Sequence, residues 1–262
     1  MFGAYTLKPH AVITPNAEIP SGVSALIRFA WLVVAALVWT MMKPAVFPGV
    51  LDVLKAIPAL WLGDEFGPAL RGSFFTNITA LAISTVLALP LAYLSRVPAI
   101  RPLAMAVSQL RFLSPAIFFL VLLFLLKDGG RVKIAMLVLG ETFFLATTMI
   151  NAVQNIPNES FDEARVLRMD EWTATWYVVV RGTLHTAMEA IRDNAAIGWS
   201  MLMMVEGIIR SQGGIGVLML NQERYMRFDV IWAIAASVLI VGIAQDLALK
   251  TARAEMCPHT KL

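Results

Sequence analysis

Cysteine is nearly missing from this sequence: Cys257 is the single one in 262 residues, which excludes an internal disulfide and any cysteine-built metal site. Histidine is almost as scarce, and His10, His185 and His259 have no metal-ligand spacing. Charge is thin, at 15% Asp, Glu, Lys and Arg against about 25% in an ordinary soluble domain. The net charge of +3 is scattered, with no basic run interleaved with aromatics, so a nucleic-acid partner is excluded. There is no G-x-x-x-x-G-K-S/T phosphate loop, no H-E-x-x-H and no G-x-S-x-G. The chain therefore holds no ATP through that loop, and it reads as a non-enzyme without cofactor or metal. The first two dozen residues also lack the charged, apolar and small-residue regions of a secretory signal. The N-terminus is expected to be retained, with the first apolar segment as an uncleaved anchor.

What the sequence has is apolar surface: 58% of residues are hydrophobic and the mean hydropathy is +0.72. That composition belongs to an integral membrane protein of the all-α, polytopic class, with about six transmembrane helices. Residues 1–24, with Pro9, Pro15 and Pro20, read as a tail, 25–250 as the membrane domain and 251–262 as a C-terminal tail. Spans are expected at 25–42, 74–94, 110–126, 134–150, 186–209 and 230–247, each near the ~20 residues that cross hydrocarbon. Pro115 kinks or starts the third. The 47–62 segment is apolar at helical spacing but interrupted by Asp52, Lys55 and Pro58, which fits a helix lying on the membrane surface. The segments 127–133 and 210–229 read as polar connectors. Lys and Arg divide almost evenly between the two sets of loops, so the charge rule does not set the orientation.

One charged stretch, IPNESFDEARVLRMDEW at 156–172, lies between two spans. Ser160 and Glu163 stand in an S-x-x-E capping-box pattern, which predicts a short helix starting at Phe161. Asp162 and Glu163 then suit its positive end, and Arg165 and Arg168 follow where cations are favoured. Phe161, Ala164, Val166 and Leu167 give it apolar surface too small for a core of its own. Such a helix needs something to dock against.

The run Asp162-Glu163-Ala164-Arg165-Val166-Leu167, with Trp172 and Val178-Val179-Val180 after it, resembles the EAA loop of permeases in bacterial ATP-binding-cassette importers. Downstream, Arg192, Trp199, Glu206, Gly213-Gly214-Ile215-Gly216 and Asn221 are similar to the last third of the nitrate, sulfonate and taurine group. The resemblance implies a cytoplasmic coupling helix, Ser160 and Asp162 through Arg168 and Met169, seated in a groove of a separate ATPase subunit. It also implies a second permease copy, an extracytoplasmic solute-binding protein, surrounding membrane lipid and a place in the inner membrane. Three positions depart from the family: Arg168 stands where a helix-ending glycine is usual, and Arg181 and His185 where prolines are common. Arg168 is expected to replace the left-handed turn with a contact of its own.

Ionisable groups inside apolar spans are expensive and mark partners or watery paths. Glu141 lies in the fourth span and is expected to be buried. Arg192, Trp199 and Glu206 are spaced by sevens and so share one face of the fifth span, which should look inward. Glu189, Arg192 and Asp193 lie within four residues of one another, close enough for Arg192 to neutralise either carboxylate. Glu141, Arg192, Asp193, Trp199 and Glu206 are the candidates for the translocation path. The glycine-rich 213–216 run by itself reads as a helix end and flexible connector. Two function classes stay open on the residues: an importer permease, or an ion-gradient-driven transporter with Glu141, Asp193 or Glu206 as its protonatable group. The second calls for an inverted repeat, and none is visible.

Overall fold

The computed structural model describes residues 21–42 and 47–256, all of it helix and connection, with no strand among the described residues. The expected N-terminal tail lies outside these residues except for its last four, which already belong to α1 (Ser21–Met42). The other long helices are α3 (Phe66–Leu94), α6 (Gly129–Gln154), α9 (Leu184–Ile208) and α11 (Phe228–Met256). At 1.5 Å per residue, the 29 residues of α3 and of α11 each span about 43 Å. Both exceed the apolar stretches read from sequence, because polar residues near their ends find partners on neighbouring helices.

The enclosed helix is α6. It packs against α3, α9 and the segment before it, and its buried residues run from Val132 to Val153. On α3 the residues turned toward it recur every three or four positions: Ser73, Asn77, Ala80, Ser84, Ala88 and Ala92. All are small or polar. Inside a membrane, helices associate by close packing and hydrogen bonds, since lipid tails are as apolar as leucine, and small side chains let two backbones approach. Ala88 and Ala92 accordingly meet Leu145, Ala146, Met149 and Ile150 of α6. The opposite side of α3, with Phe75, Ile83, Val86 and Leu87, is exposed and apolar, as a lipid-facing surface should be.

The third span is not one helix, which corrects the sequence reading. Residues Arg101–Phe112 and Pro115–Leu126 form two pieces bent by 99°. Pro115 has no N–H and pushes the preceding residue out of the helical region; Ser114 is extended, at ψ 133°, and its hydroxyl accepts from the Ala116 amide at 3.3 Å. The first piece includes α4 (Arg101–Gln109) and the second α5 (Phe119–Leu126). Residues 210–229 also depart from a simple connector, since they contain α10 (Ile215–Arg224). The helix expected at 47–62 is present as α2 (Val50–Leu62), resting on α11 with Trp61 Nε1 donating to Ser237 Oγ at 3.1 Å.

The charged stretch folds as α7 (Asn158–Val166), then α8 (Glu171–Ala174) and a π-helical stretch, Thr175–Arg181, that leads into α9. The capping box does not form. Pro157 is the N-cap, without a side-chain bond, so the helix starts three residues before the expected Phe161, and Ser160 is already its third residue. A proline's fixed φ and extended neighbour made the earlier start available. At the other end, Arg168 has φ 54°, the left-handed conformation itself. The Met169 amide donates to Ala164 O at 3.1 Å and the Arg168 amide to Arg165 O at 2.9 Å, the two bonds of a Schellman ending. Arg168 thus keeps the turn that glycine would give, which corrects the expected replacement of that turn, and its guanidinium makes no ion pair among the described residues.

Because a side chain in that conformation is strained by roughly 1 kcal/mol, Arg168→Gly is expected to steady the turn. Hydrogen exchange at the amides of residues 168 and 169 should slow by about fivefold. Unchanged or faster exchange would show that the turn carries no such strain.

Candidate functional site

At the end of the bundle away from α7, four segments meet on one carboxylate. Glu206 of α9 is fully buried. Its Oε1 accepts from Ser73 Oγ of α3 at 2.7 Å and from Lys133 Nζ of α6 at 3.3 Å, while Oε2 accepts from the Gly216 amide at 2.9 Å. Ser73 Oγ also accepts from the Ile215 amide at 3.0 Å. Two free N–H groups at the start of α10 are satisfied in this way, and the carboxylate sits at the positive end of that helix. The glycine run has its reason here. Gly214 has φ 117°, a conformation nearly reserved for glycine, and a Cβ on it would overlap the Glu206 carboxylate. A Cβ on Gly216 would overlap the Met203 carbonyl. What reads in sequence as a loose connector is a fitted cradle.

Midway along α6, Glu141 is fully buried, as expected. Its Oε2 lies 3.0 Å from Ser84 Oγ of α3. Its Oε1 has no partner, and neither amide atom of the buried Asn77 nor of the buried Asn194 has one. A Cβ on Gly198 of α9 would overlap both Asn77 Oδ1 and Glu141 Oε1, so the glycine is what lets α9 close over them.

Toward the α7 end, α9 is tied to α11. Arg192 makes a two-pronged pair with Asp246, Nη2 to Oδ2 at 3.0 Å, and Glu189 pairs with Arg253. The main partner of Arg192 is therefore Asp246 on the facing helix, and the charges of Glu189 and Asp193 on its own helix add to that neutralisation. Asp193 is exposed and makes no hydrogen bond or ion pair among the described residues, though its charge acts on the adjacent Arg192. Trp199 Nε1 donates to Gln245 Oε1 of α11 at 2.8 Å. Arg192, Trp199, Ser200, Gln245 and Asp246 line a groove of about 390 Å³ between the two helices. The face shared by Arg192, Trp199 and Glu206 therefore does look inward, but onto different helices along its length.

Beyond that end, Arg96 anchors α7. Its Nη2 donates to Val153 O at 2.7 Å and Ile156 O at 3.3 Å, and its guanidinium covers the Phe161 ring at 4.9 Å. Phe161 and the buried Ala164 face the bundle, whereas Val166, Leu167, Trp172 and Trp176 stand exposed, Val166 at 82%. The four apolar residues expected to give the helix its apolar surface are divided between an inner seat and an outer surface. Asp162 and Glu171 both pair with Arg165, which stiffens the outer surface.

The sequence that folds into this bundle matches a known family. The family model described as the binding-protein-dependent transport system inner membrane component covers residues 44–251. The chain belongs to that family. Over 253 residues, 94% of this chain and 91% of the relative, the permease is also 21% identical to the taurine transport system permease protein TauC of Escherichia coli (strain K12). It is a multi-pass inner-membrane permease, a transport subunit of an ATP-binding-cassette importer and not an enzyme. Its system includes an ATPase and a solute-binding protein.

Sequence reading of the permease singled out Glu206 and the glycine run but missed Lys133, Ser73 and Arg96. Lys133 was counted only as a loop charge, though a lysine 73 residues from Glu206 on an apolar helix was the available signal. Removing one member of a buried ion pair leaves the other uncompensated, at a cost of about 3–5 kcal/mol. Lys133→Met should lower the unfolding free energy of the permease in mixed micelles by that amount, and Lys133→Met with Glu206→Gln by clearly less. Additive losses would mean that the two side chains act independently.

Proposed function

We propose that the permease forms, with a second copy, the path for a small sulfonate or similar oxyanion, and that α7 is its coupling helix. The single observation that carries the coupling reading is the division of α7 into an anchored and an exposed face. Phe161 is held to the bundle under Arg96 and Ala164 is buried, while Val166, Leu167, Trp172 and Trp176 present apolar surface that nothing among the described residues covers. A rigid helix gripped on its outer face by an ATPase transmits displacement to α6 and α9, the spans on either side of it. This reading places Asp162, Glu163, Arg165, Val166, Leu167 and Arg168 at the ATPase, Ala164 at the bundle, and Ser160 and Met169 at the margins.

For the path, we assign Arg192, Asp193 and Trp199, which border the open side of α9. Glu141 and Glu206 are enclosed and hold the helices that line it. The taurine system in the name of the relative supports an aminosulfonate or sulfonate, delivered by the solute-binding protein. Arg192 is engaged by Asp246, so discrimination among such solutes is assigned to the binding protein. Binding measured on that protein, by calorimetry with sulfonates and with nitrate, tests the assignment.

The coupling reading is tested on the intact complex. Leu167→Asp places an unpaired charge in the docking groove, at roughly 3 kcal/mol, and should weaken assembly with the ATPase about 100-fold while the permease stays folded. Ala164→Asp should instead loosen α7 from the bundle and reduce the stability of the permease itself. The permease alone should show no ATP hydrolysis. Normal assembly and solute-stimulated hydrolysis with Leu167→Asp would remove α7 from the coupling role.

A further inference from the structure

The Glu141 site is not used by the coupling device or by the path, and its hydrogen bonds do not balance for a carboxylate. Ser84 Oγ lies 3.0 Å from Glu141 Oε2 and 3.0 Å from the Leu81 carbonyl of its own helix. A hydroxyl has one proton and can donate to one of them. If Ser84 donates to Leu81, as serines inside helices commonly do, Glu141 Oε2 must be the donor to Ser84. The surroundings point the same way. Glu141 Oε1 has no hydrogen-bond partner, and Asn77, the side chain beside it at Gly198, bonds it through neither amide atom.

No cation among the described residues faces the site. From α3 it meets Asn77 and Ser84, and from α9 Gly198, with Asn194 one turn away on the same buried face; Thr142 is its neighbour on α6. The nearest base on its own helix, Lys133, is engaged by Glu206, and Arg192 is engaged by Asp246. Lys133 is eight residues from Glu141, about 12 Å along the helix. A carboxylate sealed from water with neither a cation nor a full set of donors is unfavourable by several kcal/mol, and taking up a proton removes that cost.

We propose that Glu141 binds a proton on Oε2 in this conformation, making a relay in which Glu141 Oε2–H donates to Ser84 Oγ and Ser84 donates to Leu81 O. The step is simple protonation: one carboxylate oxygen takes one proton from solvent and the site becomes neutral. Its consequence is a hydrogen-bonded contact between α3 and α6, closed by α9 at Gly198, that can break and re-form as the spans shift without exposing hydrocarbon to a charge.

The test uses the permease in its complete complex, reconstituted in lipid at neutral pH. Infrared spectroscopy should show a carboxylic-acid C=O band that shifts in D₂O and is lost in Glu141→Gln. Glutamine keeps a donor toward Ser84, so this variant should melt at the wild-type temperature. Should it fail to fold, Ser84→Ala gives an independent readout: the band must persist but move, since its hydroxyl has lost its acceptor. The proposal is overturned if wild type has no such band, or if Ser84→Ala leaves its position unchanged. It is equally overturned if replacing choline by sodium raises the melting temperature of wild type and not of Glu141→Gln, which would identify a sodium ion at the site.

Discussion

A carboxylate cut off from water must be met by charge and by donors, and at Glu206 that requirement organises one end of the permease. Lys133 supplies the charge, Ser73 a hydroxyl and Gly216 a backbone N–H, so α3, α6, α9 and α10 all close on the same two oxygen atoms. The pair is weak evidence for net stability, because two charges had to leave water to form it. Its effect is to fix geometry. Any sliding of α9 against α6, or any larger residue at 214, would leave a buried group without its partner.

From that fixed end the chain grows less constrained toward α7. Midway, α3, α6 and α9 share a seam of small and polar residues, in which Gly198 sets the approach of α9. Further on, α9 and α11 are joined by the pairs Arg192 with Asp246 and Glu189 with Arg253, both partly exposed. Exposed pairs are worth little in stability but respond to their surroundings. At the far end α7 hangs on Arg96, a single guanidinium that bonds two carbonyls and covers Phe161. The gradient fits the proposed coupling role of α7, with the opposite end of the bundle holding its shape.

The left-handed Arg168 belongs to this arrangement. The Schellman bonds at Ala164 and Arg165 end α7 sharply whether or not the residue is glycine, which is what the proposed docking of α7 calls for. The family's usual glycine makes the turn without strain; this chain makes the same turn with a charged side chain pointing away from the bundle. Lys127 and Met226 end other helices in the same conformation, at φ 53° and 55°, so the chain uses this device repeatedly.

Sequence by itself determined the membrane class, the approximate positions of the long helices and the charged loop that resembles a coupling element. Those features are local: hydropathy is summed over a window of adjacent residues, and α7 is a continuous stretch. It also marked Glu141 and Glu206 as buried, because an acid inside twenty apolar residues has nowhere else to be. Where α7 begins was misread, since a proline at 157 and a serine at 160 are both acceptable starts and only packing of Phe161 and Ala164 on the bundle chose between them. The break at Ser114 and Pro115 was legible as a kink but not as a 99° turn. Tertiary structure alone decided the pairings: Lys133 with Glu206, Arg192 with Asp246, Ser84 with Glu141. Each joins residues more than fifty positions apart, and no local pattern specifies such a partner, because it is selected by which faces of rigid helices pack together.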